Sequence, residues 1–469
     1  MNPRQTMIAI VIAAGCAGSL RAAPGPLPHP VPNASGSAMT MSTQGLIDRD
    51  NPFFKSLGTN GRTCESCHQE SQGWTVTPAK VQKRFDATQG TDPIFRTVDG
   101  ANSPDADVST VAARRSAYSM LLSKGLIRVG LPVPATAEFE LLAVDDPYGY
   151  ASASELSLFR RPLPTTNLRF LSTVMWDGRE TFKSDTSPNC LAGSTTCFAP
   201  LHFDLRDQAN AATTGHAQAA VPLTEAQQRK IVRFETSLYT AQLTDLAAGA
   251  LDDQGAKGGP VHASQMPFHF GINDALAGDY RTHAAFNPSA MTLFSAWTNP
   301  AAKPGDGTDR IAARAAIARG QALFNTKPIQ IIGVAGLNDD LGMPVIPGTC
   351  TTCHDAPNAG DHSVPAPLDI GIVDASRRTP DLPLYTFRNK TTGDTIQVTD
   401  PGRALVTGKW ADIGRFKGPV LRALAARAPY FHNGFAADLP AVLEFYDTRF
   451  SIGLSDQEKS DLVAFLRSL

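Results

Sequence analysis

Little in this 469-residue chain points to a charged partner: 42 Lys and Arg stand against 44 Asp and Glu, the net charge is −2, and no basic block stands out. That balance argues against nucleic acid or an anionic membrane as the main partner. No apolar run reaches the roughly 20 residues needed to cross a bilayer, so no membrane span is expected. Methionine is scarce, with nine in the chain and none after Met343. Cysteine is scarcer still, at seven. The bulk composition, 42% apolar and 18% charged, is that of an ordinary soluble protein long enough for two or three domains.

The N-terminus reads as an export signal over residues 1–22, with Arg4 ahead of the apolar stretch Met7 to Leu20 and small residues around Arg21-Ala22. Cys16 raises a lipoprotein variant of that signal, a less favoured reading because Ala13 stands where a large aliphatic residue is usual. Residues 23–44, with Pro24, Pro26, Pro28, Pro30 and Pro32, read as an extended tether. A periplasmic location follows, and in that compartment Cys190 and Cys197 are expected to form a surface disulfide. The remaining four cysteines form two identical motifs, Cys64-x-x-Cys67-His68 and Cys350-x-x-Cys353-His354. Each supplies two thiols for thioether bonds to haem vinyl groups and an adjacent imidazole for iron, so two covalently bound haem c groups are expected.

The chain also repeats itself. Thr224 to Leu238 aligns without a gap on Ser455 to Leu469, and both stretches open with a capping box and continue with apolar residues at helical spacing. A weaker echo links Leu168-Arg169-x-Leu171…Asp177-Gly178 with Leu421-Arg422-x-Leu424…Asn433-Gly434. The expected fold is mainly α, with two cytochrome c-like haem domains (45–300 and 308–469) from an apparent duplication, joined by long loops. Asp309–Phe324 reads as a helix, with Gly320 and Phe324 placed for close packing. An insertion at about 75–160 carries a small expected β-hairpin, Leu126–Val133 against Glu138–Val144.

The choice of sixth iron ligand separates electron transfer from catalysis. With no methionine after Met343, the candidates in the second half are Tyr446, His432 and His362.

Taken in order, Cys64-x-x-Cys67-His68, Trp176-Asp177-Gly178-Arg179, Cys350-x-x-Cys353-His354 and Ala428-Pro429-Tyr430-Phe431-His432-Asn433-Gly434 resemble the bacterial dihaem cytochrome c peroxidase and MauG superfamily. The resemblance covers roughly residues 45–70 and 155–469. It implies that His68 ligates a peroxide-reactive iron, that His354 ligates a relay iron, and that Trp176 carries electrons or holes between them. Arg179 and His432 come with the motifs as haem-contacting residues. Tyr446 matches the relay haem's distal ligand, a Tyr in the MauG-like branch. Gln208 matches the family's Gln after the Trp motif, but its acid–base Glu falls on Gln218, leaving His216 as the nearest proton-shuttling group. The resemblance also implies an inter-haem calcium ion. Arg161 and Arg427 occupy positions that would supply its Asn and Thr, which makes calcium doubtful.

The expected activity is oxidation driven by hydrogen peroxide, with a small electron-donor protein (cytochrome c or cupredoxin) or a protein substrate as partner. Two alternatives stand beside it: a dioxygen-using enzyme similar to the dihaem rubber oxygenases, and a pure electron-transfer cytochrome.

Overall fold

The computed structural model describes residues 29–181 and 201–469. The export signal with Cys16 and the Cys190/Cys197 pair lie outside the described residues.

Ten α-helices are described: α1 (Pro78–Thr88), α2 (Val111–Ala117), α3 (Ser119–Lys124), α4 (Leu201–Gly215), α5 (Glu225–Glu235), α6 (Gly259–Gln265), α7 (Thr308–Thr326), α8 (Ala404–Thr407), α9 (Leu439–Phe450) and α10 (Asp456–Arg467). The two capping boxes form as their sequences require. Thr224 and Gln227 close the first turn of α5, and Ser455 and Glu458 that of α10, each side chain satisfying the other's backbone amide. Ile231 and Phe234 of α5 and Leu462 and Phe465 of α10 are buried. At Gly320, α7 crosses α10 so closely that a Cβ would lie 1.9 Å from the Asp461 carbonyl oxygen. Only glycine fits that crossing.

Strand content exceeds the mainly α expectation, with eleven strands in four sheets among the described residues. β1 (Val31–Asn33) and β2 (Gly36–Ser42) form a hairpin, and β2 pairs antiparallel with β6 (Leu238–Asp245), which continues to β7 (Gly249–Ala250). Much of the expected tether is therefore sheet. Thr40 on β2 accepts a 2.9 Å hydrogen bond from the indole of buried Trp74, tying this segment to the first haem motif's loop.

The expected hairpin in the insertion does not form. β3 (Ile127–Leu131) pairs with β5 (Leu156–Arg160), while β4 (Phe139–Asp145) pairs with β10 (Leu384–Asn389) of the second half, where β11 (Thr395–Val398) completes a three-stranded sheet. Pro132 and Pro134 lie between β3 and β4, and their fixed φ and missing donors do not suit a tight reversal. A short hairpin, β8 (Ile329–Ile332) with β9 (Val345–Gly348), precedes the second haem motif. The insertion has a core of its own, including Val81, Phe85, Phe95, Tyr118 and Leu121, and Cys67 packs on it.

Two short strips of backbone match position for position. Asn167 and Ala423 (φ 59° and 54°), Met175 and Phe431 (66° and 64°) and Gly178 and Gly434 (67° each) are all left-handed. Isolated bridges Val174–Glu180 and Tyr430–Ala436 sit at the same places in each strip. This register sets Trp176 opposite His432, and Leu168 opposite Leu424, whereas the sequence echo set Leu168 against Leu421. The strips bind each other reciprocally: the Arg161 amide donates to the His432 carbonyl at 2.6 Å, and the Lys417 amide donates to the Trp176 carbonyl at 2.9 Å.

Candidate functional site

Both Cys-x-x-Cys-His segments adopt the same tight turn. In each, a hydroxyl of the third residue of the turn caps the preceding threonine amide (Ser66 to Thr63, Thr352 to Thr349), and the His amide donates to the first cysteine's carbonyl at 3.0 Å. His68 directs Nδ1 to the Trp74 carbonyl at 3.1 Å, and His354 directs Nδ1 to that of Gly360. This fixes the tautomer and leaves Nε2 as a lone-pair donor. Burial pushes both imidazoles down to about 4, so they are neutral at ordinary pH. Burial also raises the thiols of Cys64 and Cys67 and pushes Cys350 up to about 12.

Each segment forms the wall of a cavity. The first is lined by Cys64, Cys67 and His68 together with Gln208 and His216 from the α4 region, Arg179, Met175 and Glu235. The second is lined by Cys350, Cys353, His354, Tyr446, His432 and His362. Trp176, Arg161 and Lys417 line both. The sequence-derived site residues are thus divided between two cavities, and the predicted bridge between them belongs to each. Among the described residues, no methionine lines the second cavity; Met343 is 43% exposed elsewhere.

The wall between the cavities is strongly cationic. Arg161 donates only to carbonyls, those of Lys124, Val76 and Arg427, at 2.8 to 3.0 Å. Arg427 likewise donates to the carbonyls of Arg422 and Val420. Burial, reinforced by the neighbouring Arg427 charge, lowers Arg161 to about 9, and burial lowers Arg427 to about 10. A buried cation without a carboxylate is costly, so this wall is built for an anion. The two propionates of a haem are of that class. Among the described residues no His, Cys, Asp and Glu cluster could hold a free metal ion.

Behind Trp176 lies a buried ion-pair network. Arg160 takes both Asp400 oxygens at 2.7 and 2.9 Å and reaches Asp177 at 2.5 Å, while Arg179 reaches Asp177 at 2.8 Å. Burial alone would raise Asp177, but the two guanidinium groups outweigh it and hold the carboxyl at about 2. The Trp176 indole donates to the Arg161 carbonyl at 2.8 Å and lies 6.1 Å, edge to face, from His432, which itself stacks on Phe416 at 4.1 Å.

Sequence reasoning missed three groups in the first cavity. Asp99 of the insertion pairs with both His216 and Arg62, and neither Asp99 nor Arg62 belongs to a motif. Glu235 is wholly buried, its Oε2 has no hydrogen-bond partner, and burial pushes it up to about 8. The gapless repeat could have revealed it, because Glu235 stands where the second copy has buried Leu466.

No family model matches the chain. It is similar to the cytochrome-c peroxidase IdrP1 of Pseudomonas sp. strain SCT, 30% identical over 229 residues, covering 45% of this chain and 52% of that protein. It is also similar to IdrP1 of Denitromonas iodatirespirans, 31% identical over 184 residues with 34% and 42% covered. IdrP2 of the same organism is 32% identical over 132 residues, with 26% and 36% covered. The chain spans about half the length, or less, of these curated relatives.

Proposed function

We propose that the chain is a periplasmic dihaem c-type oxidoreductase of the peroxidase kind, reacting with hydrogen peroxide in the His68 cavity and passing electrons or holes through Trp176 to the His354 cavity. The observation that carries this reading is the pair of cavities, each with a Cys-x-x-Cys-His wall, that share Trp176 and a cationic partition. The similarity to proteins named cytochrome-c peroxidase supports the peroxidase class. The matching strips and capped helices support descent of the two haem domains from one duplicated unit.

The residues fit haem c. Cys64, Cys67, Cys350 and Cys353 would bear the thioethers, His68 and His354 the proximal bonds, and Arg161, Arg427 and Lys417 the propionates. When bound, haem supplies an iron able to take peroxide and exchange electrons. The chain does the rest. His68 and His354 are oriented by backbone carbonyls, and the Trp176 N–H faces a carbonyl that cannot accept its proton. In the first cavity Gln208 would hold peroxide and His216 would move its protons. In the second, Tyr446 would supply a side-chain oxygen to the bound group, from a phenol that burial otherwise keeps neutral. That ligand set is MauG-like, and it suits a partner that is either a small electron-donor protein or an oxidisable protein side chain.

Haem stoichiometry tests the cofactor. Two haems per chain are expected by pyridine haemochrome assay, falling to one in C64A/C67A and to one in C350A/C353A. Electron paramagnetic resonance of the oxidised protein with stopped-flow mixing tests the activity. One high-spin and one low-spin iron, and a rapid spectral change with peroxide, are expected. Two low-spin irons inert to peroxide would favour the electron-transfer reading, for which Met175 in the first cavity is the available ligand. A stable oxygen complex formed in air would favour the dioxygenase reading.

Arg161 and Arg427 bear on calcium too. Their charges occupy the partition where the superfamily's inter-haem ion is expected, and neither side chain can ligate it. Exhaustive chelation followed by gel filtration is expected to leave the spectra and the peroxide reaction unchanged, and calcium added back is expected to restore nothing.

A further inference from the structure

Glu235, Gln208 and His216 all line the first cavity, and their surroundings differ. Glu235 is deep, without a hydrogen-bond partner at Oε2, and close enough to Cys64 for its charge to raise that thiol. It belongs to the attachment side of the cavity. Gln208 can donate and accept but cannot carry a proton away. His216 is different. Its Nδ1 is within hydrogen-bonding distance of Asp99 Oδ2, and the other oxygen of Asp99 is taken by Arg62. Arg62 is itself fixed by the carbonyls of Pro93 at 2.8 Å and Ile94 at 2.6 Å, both in the insertion. Asp99 and Arg62 are buried, whereas the His216 side chain is 41% exposed, so it borders solvent as well as the cavity. With Nδ1 engaged by the carboxylate, Nε2 is the nitrogen left to exchange a proton. His216 and His68 line the same cavity.

We propose that His216, with Asp99 as the residue that positions it and Arg62 as the anchor of Asp99, is the proton-transfer device of the first cavity, and that the 75–160 insertion serves to deliver Asp99. This rests on the peroxide reading above. His216 would take a proton at Nε2 from one oxygen of hydrogen peroxide and return it to the other, which leaves as water as the O–O bond breaks. A reduced electron-donor protein would supply the two electrons consumed, and two solvent protons would complete the second water. An imidazole held in one tautomer by a buried carboxylate performs this exchange with little reorganisation. The insertion thereby replaces, with residues from a different part of the chain, the carboxylate that Gln218 does not provide.

The test compares ligands that carry a proton with one that does not, on the holoprotein. Hydrogen peroxide and hydrogen cyanide must each surrender a proton to bind the ferric iron, whereas carbon monoxide binds the ferrous iron without one. H216Q and D99N are expected to slow association of both proton-carrying ligands by about a hundredfold, the lower end of what a positioned acid–base group contributes. Carbon monoxide association is expected to remain at the wild-type rate. D99N acts through the tautomer, since an amide can donate to Nδ1 and strand the proton on Nε2. If D99N does not fold, H216Q decides alone. Unchanged rates in H216Q or equal slowing of carbon monoxide would overturn the assignment. A wild-type protein inert to peroxide would defeat the peroxide reading, and the cyanide rates would still decide the role of His216.

Discussion

Tyr446→Phe removes one oxygen from the second cavity and is expected to abolish the low-spin ferric signal of the His354 haem. The ring itself should stay in place. Tyr446 lies on α9 among Phe431, Phe445 and Phe450, with ring centroids 6.1, 5.2 and 6.4 Å away, so phenylalanine keeps the same packing. On the proposed ligand set, what is lost is an anionic oxygen that would favour the oxidised iron. Its removal should raise the potential by on the order of 0.1 V, a fraction of the ~0.8 V range that axial ligation controls. Electron paramagnetic resonance with a redox titration reads both effects. An unaltered signal would pass the ligand role to His432, whose Nε2 has no hydrogen-bond partner, or to His362 beside Asp355.

Arg160→Met should have the largest effect on stability. It leaves Asp177 and Asp400 buried, the first with Arg179 alone, and breaking such a buried pair costs about 3–5 kcal/mol. Denaturant unfolding of the holoprotein measures it. Replacing the carboxylates as well, in R160M/D177N/D400N, should recover much of the loss, since the penalty lies in charges left unmatched. Asp177 also gives the network a pH signature. Its folded value of about 2 lies below the ordinary 3.8, so its contribution, on the order of 2 kcal/mol, is present above pH 3.8 and disappears as pH falls towards 2. R160M should therefore move acid unfolding to higher pH.

What could be read from the sequence was what local chemistry dictates. Thioether attachment requires two thiols and an imidazole in one short turn, so both haem motifs stood out and both lie on cavity walls. The capping boxes of α5 and α10 were legible because each is closed by residues three positions apart. Pairings settled by distant partners were not. β3 and β4 looked like partners because they are neighbours with suitable side chains, yet their hydrogen bonds go to β5 and β10. Residues 31–42 looked like linker because of the prolines around them, but their alternating buried side chains suit a sheet with β6. Asp99 carried no local signal, since its importance depends on a histidine 117 positions away. The three-residue shift in the Leu-Arg repeat has a similar cause: short 3-10 turns tolerate several registers, and the left-handed residues, not the leucines, fix which one is used.

The pairing of β4 with β10 bears on how the polypeptide can be divided. Leu384 meets Asp145 and Asn389 meets Phe139, so the strand that completes the second half's sheet is made long before that half emerges. A fragment beginning near residue 308 would keep β11 on one side of β10 and leave a row of bare amides and carbonyls on the other. Such an edge recruits whatever strand it meets. Dissecting the molecule into single-haem pieces would therefore produce a sticky second piece unless residues 139–145 were supplied in trans.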